Sequence, residues 1–320
     1  PGEYFFEQDE GIKFGSSKQN VHLIGSGRDL TVLDGQRIAV TAAQSHPLIE
    51  ISGTQDVTVA ALTTTGRDNQ DPANDSFYGR GGGINCENST GINVRDCVIA
   101  DNEADWGGGL YIELSEITVE DCIIQQNKAC SGIAGGGVYI KSCNRSQGSA
   151  VTIKRSIISN NVAGTRHWME ADNTIGGGGI YVCSPSGSAT DPLIEECIIS
   201  HNSAVKYHGG GIYLDENSPA TMRNCIVEHN IATYTHDPCP PDLSGRGGGI
   251  YIYKCSPVII GCTISNNTSV MRGSGISCEP SNYYPSIINC TVAYNYGPVD
   301  VAAAIWAEGA WPTIVNCIVW

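Results

Sequence analysis

The phrase Gly-Gly-Gly-Ile-Tyr returns along this chain and constrains its fold more than any other feature. It stands at residues 177–181, 209–213 and 247–251. Variants of the phrase stand at residues 81–85, 107–111, 135–139, 273–277 and 302–306. A phrase that returns every few tens of residues is typical of a solenoid, in which each repeat stacks on the next.

A second phrase, Cys-x-Ile-x-x-Asn, follows the first in each repeat. Its first column reads Cys97, Cys122, Ser156, Cys197, Cys225, Cys262, Cys290 and Cys317. Its last column reads Asn102, Asn127, Asn161, Asn202, Asn230, Asn267 and Asn295. We expect the small cysteines to pack in the core and the asparagines to pass amide hydrogen bonds from repeat to repeat.

The apolar pieces are short and alternate with period two, which indicates strands and not helices. Each repeat holds three such pieces, and each pairs in parallel with its copy in the next repeat. The sequence therefore predicts an all-β, single-stranded parallel β-helix of about ten coils of three short strands, forming a rod of roughly 50 Å.

We interpret residues 1–320 as one β-helix domain. Residues 1–65 carry degenerate first coils, and residues 66–320 carry the regular ones. Because the chain starts and stops within a phrase, we expect it to be a piece of a longer protein. An exposed strand edge at the end of a solenoid can pair with another strand, so end-to-end stacking of copies is one predicted partnership.

The net charge of −15 disfavours nucleic acid as a partner, since phosphate recognition needs a basic surface. No apolar run is long enough to predict membrane insertion within this segment. Outside the cysteine column, Cys130, Cys143, Cys183, Cys239 and Cys255 form a separate group. Cys130 with Cys143 and Cys239 with Cys255 are the pairs nearest in sequence, and disulfides there would fit an extracellular location.

These repeats resemble those of secreted right-handed parallel β-helix proteins of the pectate-lyase-like superfold. The glycine and Cys-x-Ile-x-x-Asn phrases are similar to the GGxI and xxN repeats of bacterial β-helix proteins and polymorphic outer membrane proteins. Those repeats usually carry Phe where this chain carries Cys. The resemblance covers roughly residues 20–320 and implies right-handed coils and a secreted or cell-surface location. It implies no single function, because lyases, hydrolases, adhesins and structural proteins share the fold.

The tyrosine of the glycine phrase is predicted to point outward, because the preceding isoleucine points inward. Such a row would expose an aromatic stripe that suits sugar rings, and the alternative is a tyrosine ladder that only covers the sheet. The candidate ligand-binding residues on this row are Tyr111, Tyr139, Tyr181, Tyr213, Tyr251 and Trp306.

Enlarged loops at residues 162–175, 203–208 and 231–246 border this row. They add Trp168, His236 and Asp237 as candidate ligand-binding residues. The candidate catalytic residues, if the protein is an enzyme, are His208, Tyr213, Asp215 and Arg246, which lie on neighbouring coils.

Two chemistries would suit these residues. A polysaccharide lyase needs a base, here His208 or Tyr213, and a cation for the uronate carboxylate, here Arg246 or a bound Ca²⁺. A glycoside hydrolase needs two carboxylates, for which Asp215 could pair with Asp237 or Glu170. Of the two, the lyase is favoured.

The acidic stretches 101–105 and 215–217 offer oxygen ligands for calcium, and the alternative, which is favoured, is that they are solvated acidic turns. The regular columns and the lack of a recognisable catalytic motif favour a structural, adhesive or carbohydrate-binding protein. We expect its partner to be a carbohydrate or other cell-surface polymer, or further copies of the chain. A lyase or hydrolase that acts on an acidic polysaccharide is the alternative.

Overall fold

A computed structural model describes residues 2–5, 11–36, 46–69, 79–130, 135–141, 151–164, 176–184, 191–205, 207–233, 245–280, 282–298 and 304–320. Within these ranges the chain winds into stacked coils whose strands all pair in parallel with the strand one coil away. No helix there is long and apolar enough to cross a bilayer. The predicted parallel β-helix is confirmed.

Three long sheets run the length of the rod. The glycine sheet follows the glycine phrase and has ten strands: Ile12–Phe14, Ile49–Ser52, Ile84–Glu87, Leu110–Glu113, Val138–Lys141, Ile180–Cys183, Ile212–Leu214, Ile250–Tyr253, Ile276–Glu279 and Ile305–Ala307. The middle sheet also has ten strands: Gln19–Ile24, Gln55–Ala60, Ile92–Arg95, Ile117–Glu120, Val151–Lys154, Leu193–Glu195, Thr221–Arg223, Val258–Ile260, Ser286–Ile288 and Thr313–Val315.

The cysteine sheet, which follows the cysteine column, has eleven strands: Gly2–Phe5, Thr31–Asp34, Thr63–Thr65, Val98–Ala100, Ile123–Gln125, Ile157–Ser159, Ile198–Ser200, Ile226–Glu228, Thr263–Ser265, Thr291–Ala293 and Ile318–Val319. A fourth, short sheet was not foreseen. It follows the asparagine column and comprises Asp68–Asn69, Glu103–Ala104, Lys128–Ala129, Val162–Ala163, Ser203–Val205, Ile231–Thr233 and Thr268–Ser269.

The three glycines of the phrase are required for two different reasons. Gly177 has a φ of +85°, and a Cβ there would lie 2.5 Å from the carbonyl oxygen of Ile180. Gly178 and Gly179 approach the backbone of the next coil, and a Cβ on Gly179 would lie 2.7 Å from the carbonyl oxygen of Gly211. The first glycine therefore makes the bend, and the other two allow close contact between coils.

The asparagine column forms the predicted ladder. In each rung the side-chain amide donates to the side-chain oxygen of the asparagine in the next coil, over 3.0–3.2 Å. The same amide donates to a backbone carbonyl in the previous coil, as Asn202 does to Ile158 at 2.9 Å. From Asn127 onward each side-chain oxygen also accepts the backbone N–H of the preceding asparagine, so the buried turn has its polar groups satisfied.

The cysteine column packs in the core, as predicted. Its members are buried, except for half-buried Cys317. Each thiol lies within hydrogen-bond distance of the carbonyl two residues earlier, as Cys197 does to Glu195 at 3.2 Å. Cys255, which stands outside the cysteine column, is also a core residue, and Cys130 is buried. Cys143 and Cys239, the other members of the suggested disulfide pairs, lie outside the described residues.

We predict that Asn202→Ala strongly destabilises the rod. The change leaves the Ile158 carbonyl and the backbone N–H of Asn161 without their buried partners. Because each unsatisfied buried group costs about 1–3 kcal/mol, we expect a loss of about 3 kcal/mol or more, measured by urea denaturation. Asn93→Ala removes an exposed asparagine and should change stability by no more than about 0.5 kcal/mol. Equal losses in the two variants would contradict the ladder's role.

Candidate functional site

The tyrosine row, Tyr111, Tyr139, Tyr181, Tyr213 and Tyr251, lies on the outer face of the glycine sheet. These residues are in register, one strand apart, and their rings form a cluster separate from the core inside the coils. The outward orientation was predicted correctly. The predicted exposure was wrong, because each of the five tyrosines is at most 3% exposed.

The rings in this row contact one another without a break. The ring centroids of Tyr111 and Tyr139 are 5.1 Å apart, and those of Tyr139 and Tyr181 are 5.0 Å apart. Tyr213 meets Tyr181 at 5.3 Å and Tyr251 at 4.8 Å, both edge to face. Offset and edge-to-face contacts at these distances are favourable, so the row is a second, outer hydrophobic core.

A cover row also encloses the tyrosines. It consists of the described residues with side chains that immediately precede the glycine phrases: Arg80, Trp106, His208, Arg246 and Arg272. These side chains lean toward the following coil. Trp106 stacks on Tyr139 at 5.9 Å, and His208 stacks on Tyr251 at 4.3 Å.

Two arginines of the cover row each bridge a pair of glutamates on adjacent coils. Arg80 Nη1 lies 3.0 Å from Glu87 and 3.1 Å from Glu113. Arg246 pairs with Glu279 and lies 4.0 Å from Glu308. Each arginine therefore holds together two acids that would otherwise repel across one strand spacing.

The carboxylates near the row also accept the tyrosine hydroxyls. Tyr111 donates to Glu113 at 2.9 Å, Tyr181 to Asp215 at 2.5 Å, and Tyr251 to Glu279 at 3.1 Å. Tyr139 forms a hydrogen bond of 3.3 Å with the thiol of Cys183, an outward residue of the glycine sheet. These four phenols are therefore already engaged with protein groups.

The pKa values of two of these carboxyl groups are shifted in opposite directions. Burial raises the pKa of Asp215, and the hydrogen bond from Tyr181 offsets this only in part. Burial also works to raise the pKa of Glu113, but hydrogen bonds from Lys141 and Tyr111 outweigh it and lower that pKa. Burial raises the pKa of Tyr213 well above its usual value, so its phenol stays protonated and the phenolate that a base requires is disfavoured.

The structure brings the four candidate catalytic residues into one region but engages them with other groups. His208 Nδ1 accepts the backbone N–H of Arg246 at 3.3 Å, and the His208 ring meets Tyr213 edge to face at 6.3 Å. Arg246 is committed to Glu279, and Asp215 to Tyr181. Arg246, the cation proposed for a uronate carboxylate, already holds a carboxylate of the protein.

Of the other candidate ligand-binding residues, Trp306 continues the row beyond the small residue Ser277 and is half-buried. Arg272 lies over its ring at 4.6 Å. Trp168, His236 and Asp237 lie outside the described residues, so their roles stay predictions. Among the described residues, the half-exposed aromatic side chains on this face are Trp106, Tyr253 and Trp306.

The acidic stretches do not assemble a metal site in the part of the chain that the structure describes. Asn102 belongs to the ladder, Glu103 pairs with Lys128 at 2.9 Å, and Asp105 accepts the backbone N–H of Gly79. In the second stretch, Glu216 pairs with Lys254. The oxygen atoms are drawn into separate contacts instead of converging on one point.

Sequence reasoning selected His208 and Arg246 from the cover row but did not include Arg80, Trp106, Arg272 or the carboxylates Glu113 and Glu279 among the candidate site residues. A signal was present, because each glutamate stands two residues after the tyrosine column and each cover residue immediately precedes a glycine phrase. Predicting the contacts between coils would also require the side-chain conformations, which the sequence pattern does not give.

Comparison with known proteins establishes the family. The family described as "Right handed beta helix region" matches residues 13–177 and 175–320, so this chain belongs to the right-handed β-helix family. A search of curated proteins finds no match.

Among solved structures, the chain is similar to the catalytic domain of a GH87 alpha-1,3-glucanase in complex with nigerose, with 11% identity and a TM-score of 0.48. It is also similar to a form of that domain with one aspartate replaced by alanine, with 10% identity and a TM-score of 0.46. In both cases 99% of this chain is covered, and it spans 60% of the other chain.

We predict opposite pH responses for two aspartate variants. The pKa of Asp215 is raised in the folded state, so its stabilising contribution is complete below its unfolded pKa of about 3.8 and is lost as pH rises through the folded pKa. Asp215→Asn cannot ionise. Its stability relative to the parent should therefore improve between about pH 4 and pH 7, measured by thermal unfolding in matched buffers.

Asp121→Asn is the matched control. A hydrogen bond from Arg155, 3.0 Å away, lowers the pKa of exposed Asp121, so its contribution is present above its unfolded pKa and is lost as pH falls. This variant should lose stability relative to the parent as pH rises, by less than about 1 kcal/mol. A shared direction in the two variants would refute the assignment for Asp215.

Proposed function

We propose that this protein is a non-catalytic β-helix that binds a carbohydrate polymer along the outer face of its glycine sheet. The observation that carries the proposal is the engagement of three candidate catalytic groups. His208 accepts the backbone N–H of Arg246, the Arg246 side chain pairs with Glu279, and Asp215 accepts the Tyr181 hydroxyl. A lyase or hydrolase needs such groups available to substrate. Here they hold the face together instead.

The half-exposed aromatic residues of the face supply the proposed contacts. Trp106, Tyr253 and Trp306 lie along the rod, and the strand register places the coils of Trp106 and Trp306 six spacings, or roughly 29 Å, apart. Each is accompanied by a cation near its ring: Arg80, Lys254 and Arg272 respectively. Aromatic faces and cations next to carboxylates suit the C–H surfaces and hydroxyls of an extended glycan.

The proposal includes an extracellular or cell-surface location, where polymers of this kind occur. It modifies the predicted mode of binding. The tyrosines would act as a rigid floor beneath the contact residues, since all five rings are buried and four of the hydroxyls are hydrogen-bonded to protein groups. End-to-end stacking of copies stays a separate prediction.

The double variant Trp106→Ala with Trp306→Ala tests this function. We expect it to weaken retention in polysaccharide affinity electrophoresis at least about tenfold, because an aromatic contact contributes about 0.5–1.5 kcal/mol beyond area burial. A panel of neutral and acidic polysaccharides should be used, with circular dichroism to check folding. Trp311→Ala is the matched control, since Trp311 is 66% exposed and lies outside the row. Unchanged retention in the folded double variant would refute the proposed surface.

One observation favours an enzyme as the second candidate. Asp215, with its raised pKa, precedes Glu279 by two coils on the same outward column, which puts their backbones roughly 10 Å apart. An inverting glycosidase places an acid and a base at about 6.5–9.5 Å.

For this second candidate, incubation with the same polysaccharides should release new reducing ends, and Asp215→Asn should abolish the release. Formation of an unsaturated uronate, lost in His208→Ala, would instead indicate a lyase. Retention without any bond cleavage across the panel supports the binding function.

A further inference from the structure

The tyrosine row joins two surface-accessible aromatic residues through a buried path. At one end, half-exposed Trp106 lies 6.4 Å from Tyr111 and 5.9 Å from Tyr139, with nearly parallel rings. At the other end, Tyr251 stacks on half-exposed Tyr253 at 6.3 Å. Each step between these ends is a ring-to-ring contact of 4.8–5.3 Å.

Every second tyrosine of this path donates a hydrogen bond from its phenol to a carboxylate. Tyr111 has Glu113, Tyr181 has Asp215, and Tyr251 has Glu279 as hydrogen-bond acceptor. A phenol that loses an electron becomes strongly acidic and must release its proton at once. A neighbouring carboxylate can take that proton and return it afterwards, whereas a buried phenol without such a partner resists oxidation.

We propose that the row is a relay for oxidising equivalents, which moves an electron vacancy along the rod between Trp106 and Tyr253. Tyr111, Tyr181 and Tyr251 are the stations where the vacancy rests, because each has a proton acceptor. The rings of Tyr139 and Tyr213 bridge them. Successive stations are two coils, or roughly 10 Å, apart.

The step is balanced at every station. A one-electron oxidant at the surface removes an electron from Trp106, and Tyr111 then supplies an electron to Trp106. As Tyr111 becomes a neutral radical, its phenolic proton passes to Glu113. When Tyr111 takes an electron from Tyr181, the proton returns from Glu113, and Asp215 receives the proton of Tyr181.

Tyr181 then takes an electron from Tyr251 and recovers its proton from Asp215, while Glu279 receives the proton of Tyr251. In the last transfer Tyr251 takes an electron from Tyr253 and recovers its proton from Glu279. The phenolic proton of Tyr253 passes to solvent, and a one-electron reductant in solution, together with a proton from water, quenches the Tyr253 radical. One further feature fits this assignment. The bridging and station rings are at most 3% exposed, which keeps the radical from side reactions with solvent.

The test attaches a ruthenium polypyridyl photosensitiser to the variant Glu116→Cys, whose exposed position lies in the coil of Tyr111. A light flash with an electron acceptor generates ruthenium(III) as the oxidant. A nitroso spin trap then marks the final radical, and peptide mass spectrometry locates it. The parent chain, treated with the same reagent, corrects for labelling of native thiols such as half-buried Cys317.

We expect the trap on Tyr253 in the labelled protein, and at least about tenfold less of it when Tyr181→Phe is added. Phenylalanine retains a ring between Tyr139 and Tyr213 but has no phenolic proton to pass to Asp215. Tyr284→Phe is the matched control, because Tyr284 is 61% exposed and outside the row, and it should leave the yield on Tyr253 within about twofold.

If Tyr181→Phe does not fold, the double variant Tyr181→Phe with Asp215→Asn replaces it. The second substitution removes the buried acid that has lost its phenolic partner, and the relay remains interrupted at residue 181. Unlabelled protein mixed into the sample should carry no trap on Tyr253, which excludes transfer between molecules. Absence of the trap on Tyr253 in the labelled protein, or an equal yield after Tyr181→Phe, would overturn the relay.

Discussion

In-register stacking of parallel strands is the constraint on which the rest of this structure depends. The backbone groups of each strand bond to the coil above or below. Each side chain therefore lies roughly 4.8 Å from the equivalent side chain of the next coil, and the two must pack together. Asparagine suits this rule because its amide both donates and accepts, and Asn161, Asn202 and Asn230 form a chain of such bonds. Glycine suits it where neighbouring backbones approach closely, as at Gly178.

The same rule applies to the outer face, where it brings like charges together. Glu87 lies one strand from Glu113, and Glu279 lies one coil from Glu308. In both places an arginine that precedes a glycine phrase reaches across the two coils and bridges the acids. This arrangement also holds arginine side chains over or beside the aromatic row. Charge neutralisation and burial of the tyrosines are therefore two results of one arrangement.

Much of this could be predicted from the sequence, because a column in the alignment of repeats is a column in space. The fold, the asparagine ladder and the outward direction of Tyr181 follow from register and period alone. Burial of Tyr181 does not, since it depends on the lean of side chains between coils and on contacts such as that with Asp215. The fourth sheet was missed for a related reason: two-residue strands such as Glu103–Ala104 are too short to show a period.

Where a column changes residue type, the chemical surroundings of its side chains change from coil to coil. Along one outward column, Glu113 is surrounded by Arg80 and Lys141 and has a lowered pKa, whereas Asp215 is buried against Tyr181 and has a raised one. Two acids whose surroundings move their pKa values apart can hold and release protons at different stages of a process. Asp215 contacts the central tyrosine of the row, so proton exchange there would act on the whole aromatic path and not on a single side chain.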